Sequence, residues 1–402
     1  MATITSALNR LAVLKAIRNG GRIARTDLQE RTGLSSATIT QVTAELLGRG
    51  LIVEQKDGAK RNGRPRIFLE IDPSGGIVIG ASFTSRRRMT ISFIDLAGEV
   101  RYETRAMSGP TARTHEQLVS RTVQAIEFAM VESGFSRGEI VRVGISLPAL
   151  VDSVQGIFYF MNTFPLGPFP LAERIEKALK LPVTIENEMN CIARFEHWFG
   201  RAQNLATFTI IDVSYAIGAA QYRAGLPLTG AHGITSQLGH VKLHSGPDAK
   251  TCFCGALGCA NAYASIYGIL THAGRVAPAV PPVDDLDEVF RDLLAEAEAG
   301  SSEARALIEE AGWHLGLLVA NHVNATDPGD VLILVPDVRF TEFARGAFDR
   351  ALRDNALPGL LPFTDITFEI ASNEGPIKGV AALALEQSYI GGAGRKRALK
   401  LS

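Results

Sequence analysis

Four side chains within one stretch of 20 residues carry the most legible chemistry of this chain: His240, Cys252, Cys254 and Cys259. The spacing His-x11-Cys-x-Cys-x4-Cys supplies one imidazole and three thiols, the donor set of a tetrahedral zinc ion. Four protein ligands leave no open position, so the zinc expected here is structural, one per chain, and not catalytic. Gly246, Gly255 and Gly258 allow the tight turns such a loop needs. The fourth cysteine, Cys191, stands apart and reads as an ordinary core thiol. Three cysteines within eight residues of a cytosolic chain point to a metal and not to disulfides.

These ligands need a scaffold, and the composition supplies one. With 46% hydrophobic and 21% charged residues the chain has the make-up of a soluble globular protein, which excludes a disordered one. Its 402 residues predict two or three domains. No window reaches the roughly 18 apolar residues of a membrane helix. The N-terminal stretch, with Arg10, Lys15 and Arg18, lacks the pattern of a signal peptide. The expectation is a cytoplasmic protein without membrane contact. From Ile77 onward strands and helices alternate: strands at Ile77–Phe83, Thr90–Ile94, Val141–Leu147, Pro182–Ile185 and Thr207–Val213, helices at Leu118–Ser133, Leu171–Leu179 and Met189–Phe199. Such alternation predicts an α/β body with helices covering its sheets.

The charge is uneven. Residues 1–75 hold 12 Lys and Arg against 7 Asp and Glu; the remainder holds 29 against 35. A basic head on an acidic body suits one small domain that meets a polyanion. Leu8, Leu11, Leu14 and Ile17 recur at helical spacing, and Asn19-Gly20-Gly21 stops that helix. Thr26 reads as the cap of a short second helix ended by Gly33, and Ser35 or Ser36 as the cap of a third, Ala37 to about Gly48. On the third, Ile39, Val42 and Leu46 form an apolar stripe; Thr38, Thr40, Gln41 and Thr43 form the opposite face. Two short helices joined by a Gly turn are a helix-turn-helix, whose second helix reads the major groove. Next, Leu51–Gln55 and Ile67–Ile71 read as strands around a tip carrying Lys60, Arg61, Arg64 and Arg66, the wing of a winged helix. Gly63-Arg64-Pro65 can present a guanidinium to a narrow minor groove. The expected DNA-contacting residues are Thr26, Ser35, Ser36, Thr38, Thr40, Gln41, Lys60, Arg61, Arg64 and Arg66. Asp72-Pro73-Ser74-Gly75-Gly76 breaks the pattern and divides the chain into 1–73 and 74–402.

With these motifs assembled, the chain resembles the ROK family of sugar kinases and sugar-responsive repressors over its whole length. Gln237-Leu238-Gly239-His240 with Cys252-Phe253-Cys254-Gly255-Ala256-Leu257-Gly258-Cys259 is similar to the family's ExGH…CxCGxxGC element. Val143–Asp152 resembles its GIGxPGxVD strand-loop, Met161-Asn162 its PN loop, and Glu186-Asn187-Glu188-Met189-Asn190 its ENDAN segment. The winged head with Gly63-Arg64-Pro65 is similar to the repressor branch, which the kinases usually lack. The resemblance implies a body of two actin-like α/β lobes around a cleft, in a homodimer or homotetramer.

The departures from the family bear on activity. Where the kinases have DxGGT this chain has Phe83-Thr84-Ser85-Arg86-Arg87, and where they have GTGIGxG it has Ser214-Tyr215-Ala216-Ile217-Gly218-Ala219-Ala220. Leu334-Val335-Pro336-Asp337 stands where a glycine pair would flank adenine. Side chains then occupy the space where phosphates need bare amides, so no productive ATP binding is expected. The resemblance places the family's catalytic Asp on Glu188, one methylene longer. Its ExGH glutamate falls on Gln237, and the glutamate after the last cysteine on Asn261. These exchanges at 237 and 261 remove charge but keep hydrogen-bonding capacity. A polar cleft of Asn162, Asn187, Glu188, Gln237, His240 and Asn261 is expected to take a sugar-like effector.

The reading is therefore a non-enzymatic regulator of transcription, a repressor of carbohydrate-utilisation genes. It would bind a pseudo-palindromic double-stranded operator as a homo-oligomer. Two alternatives differ in class: an ATP-dependent sugar kinase, and a dimeric DNA binder that ignores ligands.

Overall fold

The computed structural model describes residues 2–56, 66–85, 88–107, 112–161, 167–234, 236–277 and 286–390. Of the expected site residues, Lys60, Arg61, Arg64 and Asn162 lie outside these. Among the described residues no helix is long and apolar enough to cross a membrane.

The head begins with α1 (Ala2–Gly20), followed by β1 (Ile23–Ala24), α2 (Arg25–Thr32), α3 (Ser36–Gly48), β2 (Ile52–Lys56) and β3 (Ile67–Ile71). The three strands form an antiparallel sheet in the order β1-β3-β2. Gly33, with φ of 67°, ends α2 in the left-handed region that glycine tolerates. Ser35 caps α3 by accepting the Thr38 amide at 3.2 Å. Two sequence expectations need correction here. Ala24, not Thr26, precedes the first turn of α2, and the Thr26 hydroxyl instead donates to Asp27 Oδ1. Thr43 is buried and not on the exposed face, because its hydroxyl accepts Arg25 Nε at 3.2 Å from α2.

A short turn at Pro73–Gly75 leads to the first lobe: β4 (Ile77–Ser85), β5 (Arg88–Asp95), β6 (Val100–Met107), α4 (His115–Ser133), β7 (Ile140–Leu147), β8 (Leu150–Asp152), β9 (Ile157–Phe160), α5 (Leu171–Leu179), β10 (Val183–Asn187) and α6 (Glu188–Trp198). The second lobe holds β11 (Phe208–Val213), β12 (Ile217–Arg223), β13 (Leu226–Pro227), α7 (Asn261–Ala264), α8 (Ile266–His272), α9 (Leu286–Glu298), α10 (Ser302–Thr326), β14 (Asp330–Val335), α11 (Val338–Asn355) and β15 (Asp365–Ile370); α12 (Gly375–Ile390) follows.

The two lobes repeat one topology. The sheets run β6-β5-β4-β7-β10 and β13-β12-β11-β14-β15. In each, three strands pair antiparallel and two more join parallel to the first strand. The strand pairs β4–β5 and β11–β12 thus occupy equivalent places in the two lobes; Arg86 and Arg87 lie outside the described residues. Apolar residues of β4, β5, β7 and β10 pack with α4 and α5 in one core, and those of β11 and β14 with α8 to α11 in another.

The last helix returns to the first lobe. A Cβ at Gly80 of β4 would fall 2.8 Å from the Ile377 carbonyl, and one at Gly144 of β7 2.7 Å from that of Val380, so α12 lies directly on the sheet backbone. Its Ile377, Ala381, Ala384 and Leu385 then share a cluster with Val13, Leu14 and Ile17 of α1 and Leu46 of α3. Full burial of a side chain such as Leu14 or Ile17 is worth about 1.5–3 kcal/mol, so the head is seated on the body by a common core and not tethered to it.

Candidate functional site

The head presents a polar surface. Ser35, Ser36, Thr40 and Gln41 are exposed along the first turns of α3 and Thr38 is half-exposed, while Ile39, Val42 and Leu46 anchor the other side. Thr26 on α2 and Arg66 at the start of β3 are also exposed. Hydroxyls and a carboxamide on one helix face can donate to and accept from base edges and phosphates. Arg25 braces the arrangement through Thr43 and through Glu54 Oε1 of β2 at 2.7 Å. Arg10 of α1 donates to both carboxylate oxygens of Glu45 on α3, at 3.2 and 3.1 Å.

In the body, β10 delivers Asn187 to the start of α6. Asn187 caps that helix by accepting the Met189 amide at 2.9 Å, while its Nδ2 donates to the Ala149 carbonyl at 2.8 Å. Both ends of its carboxamide are engaged within the protein. Glu188 is half-buried beside it; desolvation pushes its carboxyl up to about 7, and Asp212 of β11 adds to the rise. Burial likewise lifts Asp212 to about 6, against a lowering hydrogen bond from Ser214. Two carboxyls, one from each lobe, are therefore both raised towards neutral pH. Asp212 escaped the sequence reading because it sits inside the apolar run of β11 as a strand residue. Gln237 is exposed.

Asn261 is a correction. It was expected to line the cleft, but it is 1% exposed and its Oδ1 accepts the Ile217 amide at 2.6 Å. Gly239 packs against its carboxamide so closely that an added Cβ would fall 2.6 Å from Nδ2. Asn261 thus sits behind the loop that follows β11.

Two amides of that loop have partners within the protein. The Ser214 amide donates to the Ala216 carbonyl, and the Ile217 amide is held by Asn261. Tyr215 packs near Phe253 and Tyr267, with ring centroids 5.4 and 5.6 Å away. Gly218 is retained where Met189 of α6 crosses it: a Cβ there would lie 2.5 Å from the Met189 sulfur. In the second lobe Asp337 caps α11 through the Arg339 amide at 2.9 Å.

The Cys/His quartet assembles as the spacing implied. The donor atoms of His240, Cys252, Cys254 and Cys259 all lie within 4.8 Å of one another. Cys254 Sγ stands 3.8 Å from Cys259 Sγ, and Cys252 Sγ 3.9 Å from His240 Nδ1. A tetrahedron with metal–sulfur bonds of about 2.3 Å has sulfur–sulfur edges of roughly 3.8 Å, so these residues fit a tetrahedral ion. Burial, reinforced by the Lys242 ammonium, lowers the His240 imidazole, which favours the neutral, ligating form. Burial pushes the Cys252 thiol up to about 12, so a cation is needed to hold it as thiolate near neutrality. Gly255 and Gly258, at φ 85° and 77°, make the turns between the cysteines.

The arrangement matches known proteins over most of its length. The ROK family profile covers residues 76–386, and a profile for winged helix-turn-helix DNA-binding covers residues 8–53. The DNA-binding transcriptional dual regulator NagC of Escherichia coli K12 is 27% identical over 342 residues, 82% of this chain and 80% of that protein. The xylose repressor of Caldicellulosiruptor bescii is 27% identical over 337 residues, 82% of this chain and 84% of that protein. The crystal structure of a ROK family transcriptional regulator, a homolog of the E. coli Mlc protein, superposes with a TM-score of 0.80 at 26% identity, covering 96% of this chain and 98% of the other.

Proposed function

Because this chain belongs to the ROK family and carries a winged helix-turn-helix ahead of the family body, we propose that it is a DNA-binding transcriptional regulator. It acts as a repressor of carbohydrate-utilisation genes, answers to a sugar or sugar-like effector, and has no kinase activity. One observation carries the reading: the polar face of α3 stands exposed on a head that is fused to the family body through a shared apolar core. An N-acetylglucosamine repressor of Shigella flexneri, also 27% identical over 342 residues, and the xylose repressor named above support a saccharide as the effector class.

Residues 1–73 form the DNA-reading unit and 74–402 the sensing unit. Two heads of a homodimer or homotetramer engage half-sites of a pseudo-palindromic operator about one helical turn, or a multiple of it, apart. Thr26, Ser35, Ser36, Thr38, Thr40, Gln41 and Arg66 make the contacts from the described surface, with Lys60, Arg61 and Arg64 adding the wing. The effector enters between the lobes beside Glu188, Gln237 and His240, with Asn162 as a further contact; Asn187 shapes the site by fixing the start of α6. Closure then moves α6, whose last residue, Trp198, lies under Lys15 and Arg18 of α1 at 5.2 and 5.0 Å from the ring centre. A 5–150-fold effect on DNA requires only about 1–3 kcal/mol of differential effector affinity between the two states.

His240, Cys252, Cys254 and Cys259 hold a structural zinc, which when bound keeps the loop between β13 and α7 rigid. The absence of kinase activity is supported by the loop 214–217, whose Ser214 and Ile217 amides already have partners. The retained carboxylate at Glu188 is the feature that favours the kinase alternative.

Two measurements test the proposal together. Selection from random duplexes followed by titration returns a palindromic operator with affinity in the nanomolar range, weakened by a member of a panel of free and phosphorylated hexoses, hexosamines and pentoses. A coupled ADP-release assay over the same panel returns no turnover. Sugar phosphorylation at an ordinary rate, or a head indifferent to duplex DNA, overturns the reading.

A further inference from the structure

Lys242 is not one of the four donors, yet it touches them. Its backbone pairs with Cys259 in an isolated antiparallel bridge. From there its Nζ donates to Cys259 Sγ at 3.2 Å and to the Leu257 carbonyl at 2.5 Å. Cys259 is 1% exposed, although Cys254 of the same quartet is exposed, so charge on the Cys259 sulfur itself is poorly solvated. A zinc ion with three thiolates and a neutral imidazole carries one net negative charge. One ammonium against a thiolate cancels it.

We propose that Lys242 is the outer-sphere partner of this metal centre: a positioning residue that neutralises the residual charge of the Cys3His zinc complex and orients Cys259 towards the ion. The inference rests on the zinc reading above and extends it to a residue that no ligand-spacing pattern includes. Partners of this kind commonly govern metal affinity by 10–100-fold. The Lys242 head is solvent-exposed, which places its effect near the lower end of that range.

A purely mechanical staple would give the same contacts, because the bond to the Leu257 carbonyl ties the loop regardless of charge. A charge series separates the two roles. Full-length wild type, Lys242→Arg, Lys242→Gln, Lys242→Met and Lys242→Glu are each loaded with zinc and titrated with a chromogenic chelator, at low and at high ionic strength. Charge neutralisation gives wild type and arginine the same affinity. Glutamine and methionine both fall by about tenfold, glutamate falls further, and the spread narrows with salt. Thermal unfolding of the zinc-free chains is unchanged across the series, which separates the metal effect from the fold. Glutamine behaving like wild type while methionine falls would overturn charge neutralisation in favour of the staple. Equal affinity of all five chains overturns the inference and leaves the zinc reading standing. A wild-type chain that takes up no zinc overturns both.

Discussion

Trp198, the last residue of α6, donates its indole N–H to Glu386 Oε1 of α12 at 2.7 Å, while Glu386 Oε2 receives Arg194 Nε at 3.1 Å. The three side chains are nearly buried, at 5%, 9% and 4% exposed. Above them lie Lys15 and Arg18 of the head. The helix that begins at Glu188 therefore ends in a buried clamp against both the C-terminal helix and the winged helix-turn-helix head.

Removing one partner of a buried ion pair strands the other charge. Glu386→Ala leaves the Arg194 guanidinium and the Trp198 N–H without their acceptor. We expect a loss of about 3–5 kcal/mol in chemical denaturation. An unfolding midpoint equal to that of wild type would contradict the clamp.

Acidity should stabilise the lobe interface. Glu188 at about 7 and Asp212 at about 6 stand above their unfolded values, so the folded state binds more protons. The stability they contribute is fully present below their unfolded values near pH 4 and is lost as pH rises through 6 and 7. Glu188→Gln should flatten the dependence of melting temperature on pH between 5 and 8. A slope as steep in the variant as in wild type would exclude this pair as its source.

The quartet makes a prediction of its own. Wild type should carry one zinc by elemental analysis, and Cys259→Ser should lose it together with several degrees of melting temperature, since binding energy at a structural site is folding energy. Retention of stoichiometric zinc in the variant would rule out Cys259 as a ligand.

The two DNA surfaces should respond differently. Gln41→Ala removes an exposed carboxamide from α3 and, if that side chain reads a base as proposed, should relax preference at one operator position, at a cost of about 1–3 kcal/mol on the preferred sequence. Arg64→Ala should weaken operator binding and lower the slope of log K against log salt by about one unit. Fluorescence anisotropy across salt concentrations measures both, and an unchanged slope for Arg64→Ala would remove the wing from the interface.

Much of this protein was decided locally and was legible in its residues. The metal quartet fits in 20 residues, so its loop can close with little help from the rest of the chain. The head could be read from the apolar period of α1 and α3 and from the Ser35 cap, features set within a few turns of helix. The glycine losses at 214–220 were likewise legible as residues, since bulk and bare amides exclude each other at any position. What the tertiary structure decided are pairings between distant segments. Asp212 comes to raise the Glu188 carboxyl only when β11 is brought against the start of α6. Asn261, next to the cysteine cluster in sequence, turns inward because the Ile217 amide across the loop needs an acceptor. Glu386 meets Trp198 across 188 residues, after the chain has crossed the whole second lobe and returned. Helical period, capping and ligand spacing are short-range properties that a chain carries wherever it goes. Which carboxylate meets which cation is settled by the path of the fold, through burial that only the assembled lobes create.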